Sequence, residues 1–211
     1  MSDSVLLFAR APELGRVKTR LAAGVGERAA LEAYRWLGRR AVEALTPPGR
    51  SWSLRVLFTP DDAEDAVRAW LGEVDSLSPQ GDGDLGERLS RAARRRFDAG
   101  DAKVLLVGTD CPALDAARVR AALDALDRSD AVLGPARDGG YWLLGLRRWL
   151  PVFEGVTWGT GAVADETRAA LRAAGARWEE LPTEADVDTV EDLDALPEAL
   201  TRRLARIRGG R

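Results

Sequence analysis

Residues 104–112 read VLLVGTDCP. Four apolar residues make a short buried strand, and the chain then changes character: Gly108 and Thr109 lead to Asp110, pinned by Pro112 two positions on. Working outward, strand-length apolar runs recur at Val5 to Ala9, Leu54 to Phe58, Ala131 to Leu133 and Tyr141 to Leu146, each bounded by Gly, Pro, Asp or Ser. Between them lie helical patterns. Glu27 to Leu45 sets Leu31, Tyr34, Leu37, Ala41 and Leu45 at spacings of three and four, opposite Arg28, Glu32, Arg35, Arg39 and Glu43. Comparable stripes occupy Ala63 to Leu71, Leu85 to Phe97, Ala116 to Leu126, with Asp115 as N-cap, and Ala162 to Ala174. Strands alternating with helices predict an α/β sandwich, in which ligands bind beyond the carboxyl ends of the strands. Asp110 falls at that edge.

Composition narrows the chemistry. At 211 residues, 45% hydrophobic and 31% charged, the chain fits one globular domain with a core that needs no disulfide or metal staple. It has one cysteine, Cys111, and no histidine, which excludes an internal disulfide, a Cys/His zinc site, a Ser-His-Asp triad and any imidazole base. Cys111 reads as a small packing residue. A bound metal must therefore be a hard cation on carboxylates, and proton transfer must use Asp, Glu, Lys, Tyr or water. The net charge of −3 offers no field for nucleic acid, and no apolar stretch or basic leader indicates a membrane or secretory route, so a cytoplasmic protein with small-molecule partners is expected. Only two of the 31 basic residues are lysines, Lys18 and Lys103, which draws attention to Lys18. Residues 201–211 read as a basic tail, a solvated or frayed helix end beyond a domain of residues 1–200.

Four loops carry the candidate chemistry. FARAPELGRVKTRL, residues 8–21, packs Arg10, Arg16, Lys18 and Arg20 into one loop shaped by Pro12 and Gly15. Like charges this dense repel unless an anion lies among them, so a polyphosphate is expected there, with a solvated basic loop as the alternative. Asp110 facing that loop suits a Mg²⁺ or Mn²⁺ ligand, and equally a turn or cap residue. GPARDGGYWLLGL, residues 134–146, joins two strands through Asp138, Gly139 and Gly140, as an acceptor-binding turn or a plain Asp-Gly hairpin. Thr160, ahead of a helix, either meets an acceptor or caps the helix. In EADVDTVEDL, residues 184–193, Asp186 and Asp188 lie two apart and share one face of an extended segment, where their charges call for a cation between them. Glu191 and Asp192 fit a capping box instead.

FARAPELGRVKTRL, GTDCPAL, GPARDGGYWLLGL and DVDTVEDL together resemble the radical-SAM- and selenodomain-associated transferases of the nucleotide-diphospho-sugar transferase superfamily, across residues 4 to about 196. The KTRL and DVDTVEDL segments are also similar to those of phospholactate guanylyltransferases. The resemblance implies a single GT-A domain, a mixed, mostly parallel sheet flanked by helices. It implies a metal shared by Asp110 and Asp188, with Asp186 beside them, a phosphate loop carrying Lys18 and Arg20, and Gln80, Gly81 and Gly86 near a nucleobase. Two departures matter. Where sugar-transferring members usually show Asp-x-Asp at the metal, this chain has Thr109, Asp110, Cys111 and Pro112 with no second Asp beside the first, and its first loop has fewer glycines than is usual in nucleotidyltransferases. The expectation is a metal-dependent transferase moving a nucleotidyl group from a nucleoside triphosphate to a small phosphorylated acceptor. A glycosyltransferase using a nucleotide-sugar and a non-catalytic nucleotide-binding module are the alternatives.

Overall fold

A computed structural model describes residues 2–209. The strands are β1 (Asp3–Arg10), β2 (Trp52–Thr59), β3 (Ser76–Pro79), β4 (Lys103–Gly108), β5 (Ala131–Pro135), β6 (Tyr141–Leu146) and β7 (Trp178–Glu180). They form one sheet in the order β3-β2-β1-β4-β6-β5-β7, in which β6 alone runs antiparallel to its neighbours. The helices are α1 (Thr19–Val25), α2 (Glu27–Leu45), α3 (Glu64–Leu71), α4 (Leu85–Asp98), α5 (Ala116–Ala125), α6 (Val163–Ala173) and α7 (Glu198–Gly209). The five expected strands and five expected helices all form. So does the mixed, mostly parallel sheet flanked by helices that the resemblance implied.

The period of two along each strand explains the three layers. From β1, Val5, Leu7 and Ala9 pack with α2, α3 and α5, while Leu6 packs on the other face against α4 and α6. Helices on both faces leave the central strands no solvated side, which is why they read as unbroken apolar runs. The edge strands β3 and β7 are half-exposed and carry no such run, so periodicity did not reveal them.

A third cluster corrects two expectations. Leu21 and Val25 of α1, Ala33 and Leu37 of α2, Val187, Leu196, and Leu200 and Leu204 of α7 bury one another. The segment expected to be a solvated or frayed helix end is, through residue 209, most of α7, a helix that Leu200 and Leu204 bind to the domain. Gly210 and Arg211 lie outside the described residues. The stretch read as a single cationic loop contains α1, with Lys18 as its N-cap and Arg20 in its first turn. Among the described residues no helix is long and apolar enough to cross a membrane.

Candidate active site

β1 and β4 run in register, Phe8 beside Gly108, so their carboxyl ends open together. A cleft of about 450 Å³ lies over them. One part of its wall is charged, from Arg20, Asp110, Asp138, Asp186 and Asp188; the other is apolar, from Phe8, Leu85, Leu89, Tyr141 and Trp158. Tyr141 and Trp158 meet edge to face, centroids 6.3 Å apart.

The acidic residues arrive from three elements. Asp110 follows β4, and its carbonyl accepts a hydrogen bond from the Val187 N–H at 3.0 Å, which fastens the late segment alongside. Val187 is fully buried in the third cluster, so its neighbours Asp186 and Asp188 both turn to the cleft, as the extended reading requires. Upstream, the Glu184 carboxylate accepts from Arg118, and the Glu184 N–H donates to the Pro135 carbonyl. Asp192, not Asp188, does the capping: its carboxylate accepts from the backbone N–H groups of Asp188 and Thr189. Asp188 is thereby left free for the cleft.

Opposite these carboxylates stands Lys18. Its side chain is only 4% exposed, with Nζ 2.9 Å from Asp110 Oδ1 and 3.8 Å from Asp188 Oδ1. Arg20 Nη1 lies 3.0 Å from the other oxygen of Asp188. Lys18 is the one non-glycine residue with positive φ among the described residues, at φ 50°. A lysine in that region costs energy, which the surrounding packing must impose.

Arg10 and Arg16 do not join this site. The Arg16 side chain is 68% exposed and its nearest carboxylate is Glu13, at 3.8 Å. Arg10 is exposed at the end of β1, its backbone N–H and carbonyl both tied to the Tyr34 hydroxyl. Gly15 serves the turn, at φ 74°. The four-cation loop thus contributes two cations to the carboxylates of the cleft, Arg20 in its wall and Lys18 buried against Asp110.

The residues implied near a nucleobase have structural employment. Both amide hydrogens of Gln80 are donated to strand carbonyls, of Ala9 and Leu57. Gly81 donates its N–H to Asp61, and a Cβ on Gly86 would stand 2.5 Å from the Trp158 indole nitrogen. Gly86 therefore exists to let Trp158 pack. Gly139 is required in the same way: at φ 87°, its Cβ would lie 2.0 Å from the Gly161 carbonyl, so the β5–β6 hairpin can dock only as glycine. Asp138 accepts from the Gly140 N–H as in a hairpin turn, yet it and Gly140 also line the cleft. Thr160 lines it too, its hydroxyl donating to the Thr157 carbonyl. Cys111 is buried, and burial pushes its thiol up to about 12, as suits a packing residue.

The apolar wall was not legible in sequence. Phe8, Leu85 and Tyr141 come from three separate elements and read there as ordinary strand and helix residues. A second groove of about 630 Å³ runs between α4 and residues 153–158. Two of its arginines are engaged locally: Arg91 donates to the carbonyls of Gln80 and Asp82, and Arg94 stacks on Trp149.

Four carboxylates, Asp110, Asp138, Asp186 and Asp188, face two cations, Lys18 and Arg20. The excess is two negative charges. Burial first, then Asp110 and Asp138, push the Asp186 carboxyl up to about 7, and its Oδ1 is buried without a hydrogen-bond partner. An orphaned carboxylate oxygen and two uncompensated charges fit one divalent cation. Among the described residues, however, no three acidic side chains already converge in metal-binding geometry.

The Asp186 shift has a sign that can be tested without metal. Its folded value of about 7 lies above the ordinary 3.8, so the native state holds the extra proton between those limits, and stability falls as pH rises through them. In chelator, Asp186→Asn is expected to gain about 1–3 kcal/mol at pH 8, after discounting for solvent at the cleft mouth, and little at pH 4. Melting curves of both proteins at the two pH values read this directly. An equal gain at both would mean that Asp186 carries no buried charge.

The sheet order, with one antiparallel strand and a charged cleft over the central carboxyl ends, defines a fold of the nucleotide-diphospho-sugar transferase class. The family model described as "Uncharacterized protein conserved in bacteria (DUF2064)" matches residues 46–160, and the chain belongs to that family. A structure from Desulfovibrio desulfuricans G20, provisionally assigned as a nucleotide-diphospho-sugar transferase, is 36% identical over 99% of both chains, with a TM-score of 0.89. A cytidylyltransferase from Leptospira borgpetersenii shares the fold at 13% identity, over 99% of this chain and 96% of that one, with a TM-score of 0.57. CMP:2-keto-3-deoxy-manno-octonic acid synthetase, solved with CTP, does so at 12% identity, over 96% and 100%, with a TM-score of 0.56. No curated protein matches the chain.

Proposed function

We propose that the protein is a nucleotidyltransferase that uses Mg²⁺ or Mn²⁺ to move the nucleotidyl group of a nucleoside triphosphate onto a small phosphorylated acceptor. The observation that carries this is the pairing of Lys18 with Asp110 and Asp188, and of Arg20 with Asp188, beside Asp186 at one cleft. An acceptor phosphate oxygen attacks the α-phosphorus, the bond from that phosphorus to the bridging oxygen breaks, and pyrophosphate leaves toward Lys18 and Arg20. The acceptor is already an anion, so no base is needed and the lack of histidine is no obstacle. Asp110 and Asp188, with Asp186, would hold the divalent cation, which supplies charge neutralisation of the phosphates. Asp138, Gly140 and Thr160, which line the cleft, would meet the acceptor. The names of the cytidylyltransferase and of the CTP-bound synthetase favour this chemistry, as does the absence of a second Asp beside Asp110 after β4.

The second reading, glycosyl transfer from a nucleotide-sugar, is favoured by the provisional assignment of the 36%-identical relative. Thermal shifts with nucleoside triphosphates and nucleotide-sugars, each with Mg²⁺ or Mn²⁺, separate the two, since a ligand at a hundred times its dissociation constant adds about 2.7 kcal/mol. Triphosphate should stabilise more. Arg20→Ala removes a charge-assisted contact of about 1.5–3 kcal/mol, more than about tenfold in affinity, and should weaken triphosphate more than the nucleotide-sugar. Equal weakening, or a parent protein that prefers the nucleotide-sugar, would hand the site to glycosyl transfer. Tight binding without turnover of any acceptor would make it a binding module.

A further inference from the structure

We infer that Lys18 is an exchangeable counter-ion: its ammonium occupies the space between Asp110 and Asp188 that a divalent cation needs, and it leaves those carboxylates for phosphate when metal enters. The inference rests on the proposed site and adds an order of assembly to it.

Three observations converge. Lys18 Nζ is fully buried and stands 2.9 Å from Asp110 Oδ1 and 3.8 Å from Asp188 Oδ1, yet it makes no aligned hydrogen bond. It is held by charge rather than by directed bonds, so moving it costs no network. Asp186 Oδ1, in the same cleft, is buried without a partner. And although four carboxylates line this cleft, no three acidic side chains among the described residues converge in metal-binding geometry.

The consequence is a coupling of ligands. A dication entering alone meets a buried cation at close range, and even with the dielectric constant of bulk water that repulsion is worth more than about tenfold in affinity. A polyphosphate offers the ammonium another anionic partner within reach of its four-carbon stem, so metal and polyphosphate should each raise the affinity for the other. Removing the lysine should therefore act in opposite directions on the two ligands: metal alone binds more tightly, and the nucleotide with metal more weakly. A lysine serving only as a phosphate ligand would leave the affinity for metal alone unchanged.

The test is Mn²⁺ alone, titrated by electron paramagnetic resonance into the full chain and its variants. Lys18→Met should bind Mn²⁺ at least about tenfold more tightly than the parent, and Lys18→Met/Asp110→Asn should lose the gain. Unchanged or weaker Mn²⁺ binding by Lys18→Met overturns the inference. Should that variant not fold, the parent decides the matter. Its two lysines give separate ¹³C signals when lysine is labelled, and Lys103, paired with Asp127 far from the cleft, is the reference. Saturating Mg²⁺ should shift the Lys18 signal alone; a Lys18 signal that stays in place while Mg²⁺ displaces bound Mn²⁺ overturns the inference. The two readings fail separately. If no nucleotide stabilises the parent, the nucleotidyltransferase reading falls while the Mn²⁺ comparison still judges the exchange.

Discussion

Asp110→Asn and Asp188→Asn are each expected to abolish metal-dependent nucleotide binding, by about a hundredfold or more, and to leave the fold intact. The fold survives because the tie that Asp110 makes to the late segment uses its backbone carbonyl, which asparagine retains. Its side chain is 44% exposed and that of Asp188 is 36% exposed, so neither new amide is buried, and in each single variant the buried Lys18 ammonium keeps the other carboxylate as a partner. Binding does not survive because an amide cannot supply the negative charge that a hard cation requires. In Asp110→Asn, Lys18 also loses its nearer charged partner. Isothermal titration with Mg²⁺ and nucleotide, beside a melting curve for each variant, reads both halves. A double variant that binds like the parent would remove the metal from these residues.

Leu204→Ala is the second large effect. Leu204 is 2% exposed in the cluster formed by α1, α2, α7 and Val187. Truncating a leucine so placed costs about 2–5 kcal/mol, which for a chain of this size lowers Tm by roughly 5–15 °C. The exposed Arg206→Ala on the same helix should change stability by no more than about 0.5 kcal/mol. The loss should also reach the site. Leu21 lies in this cluster three residues after Lys18, and Val187 lies in it between Asp186 and Asp188, so α7 steadies both sides of the Lys18 contact. Nucleotide affinity should fall at temperatures where the variant is still folded. A Leu204→Ala protein that melts with the parent would restore the segment to the status of a tail.

The central strands and five helices were legible because they answer to local rules. Val104 to Val107 and Val5 to Ala9 are unbroken apolar runs since helices cover both faces of the sheet, and Glu27 to Leu45 keeps its stripe over the whole helix. The alternation Asp186, Val187, Asp188 even gave the direction of two side chains. β3, β7 and α1 escaped because each is short: two are half-exposed edges, and the third begins at the end of a stretch rich in cations. In α7 the two anchoring leucines are outnumbered by arginines that cover its solvent side.

Sequence by itself thus determined the layered α/β architecture, the chemistry closed to a chain without histidine, and the acidic residues at the sheet's carboxyl edge. Tertiary structure alone decided which charges meet. Four basic residues of one stretch look equivalent in sequence, but α1 turns Lys18 and Arg20 to the carboxylates while Arg10 and Arg16 stay outside the cleft. Lys18 and Asp110 are 92 positions apart, and no periodicity encodes a contact of that span. It arises because adjacent parallel strands end in register, and because a buried valine and a C-terminal helix hold the remaining acidic segment beside them. Charges interact through space according to distance and burial, and both of those are properties of the packed fold rather than of the order of residues.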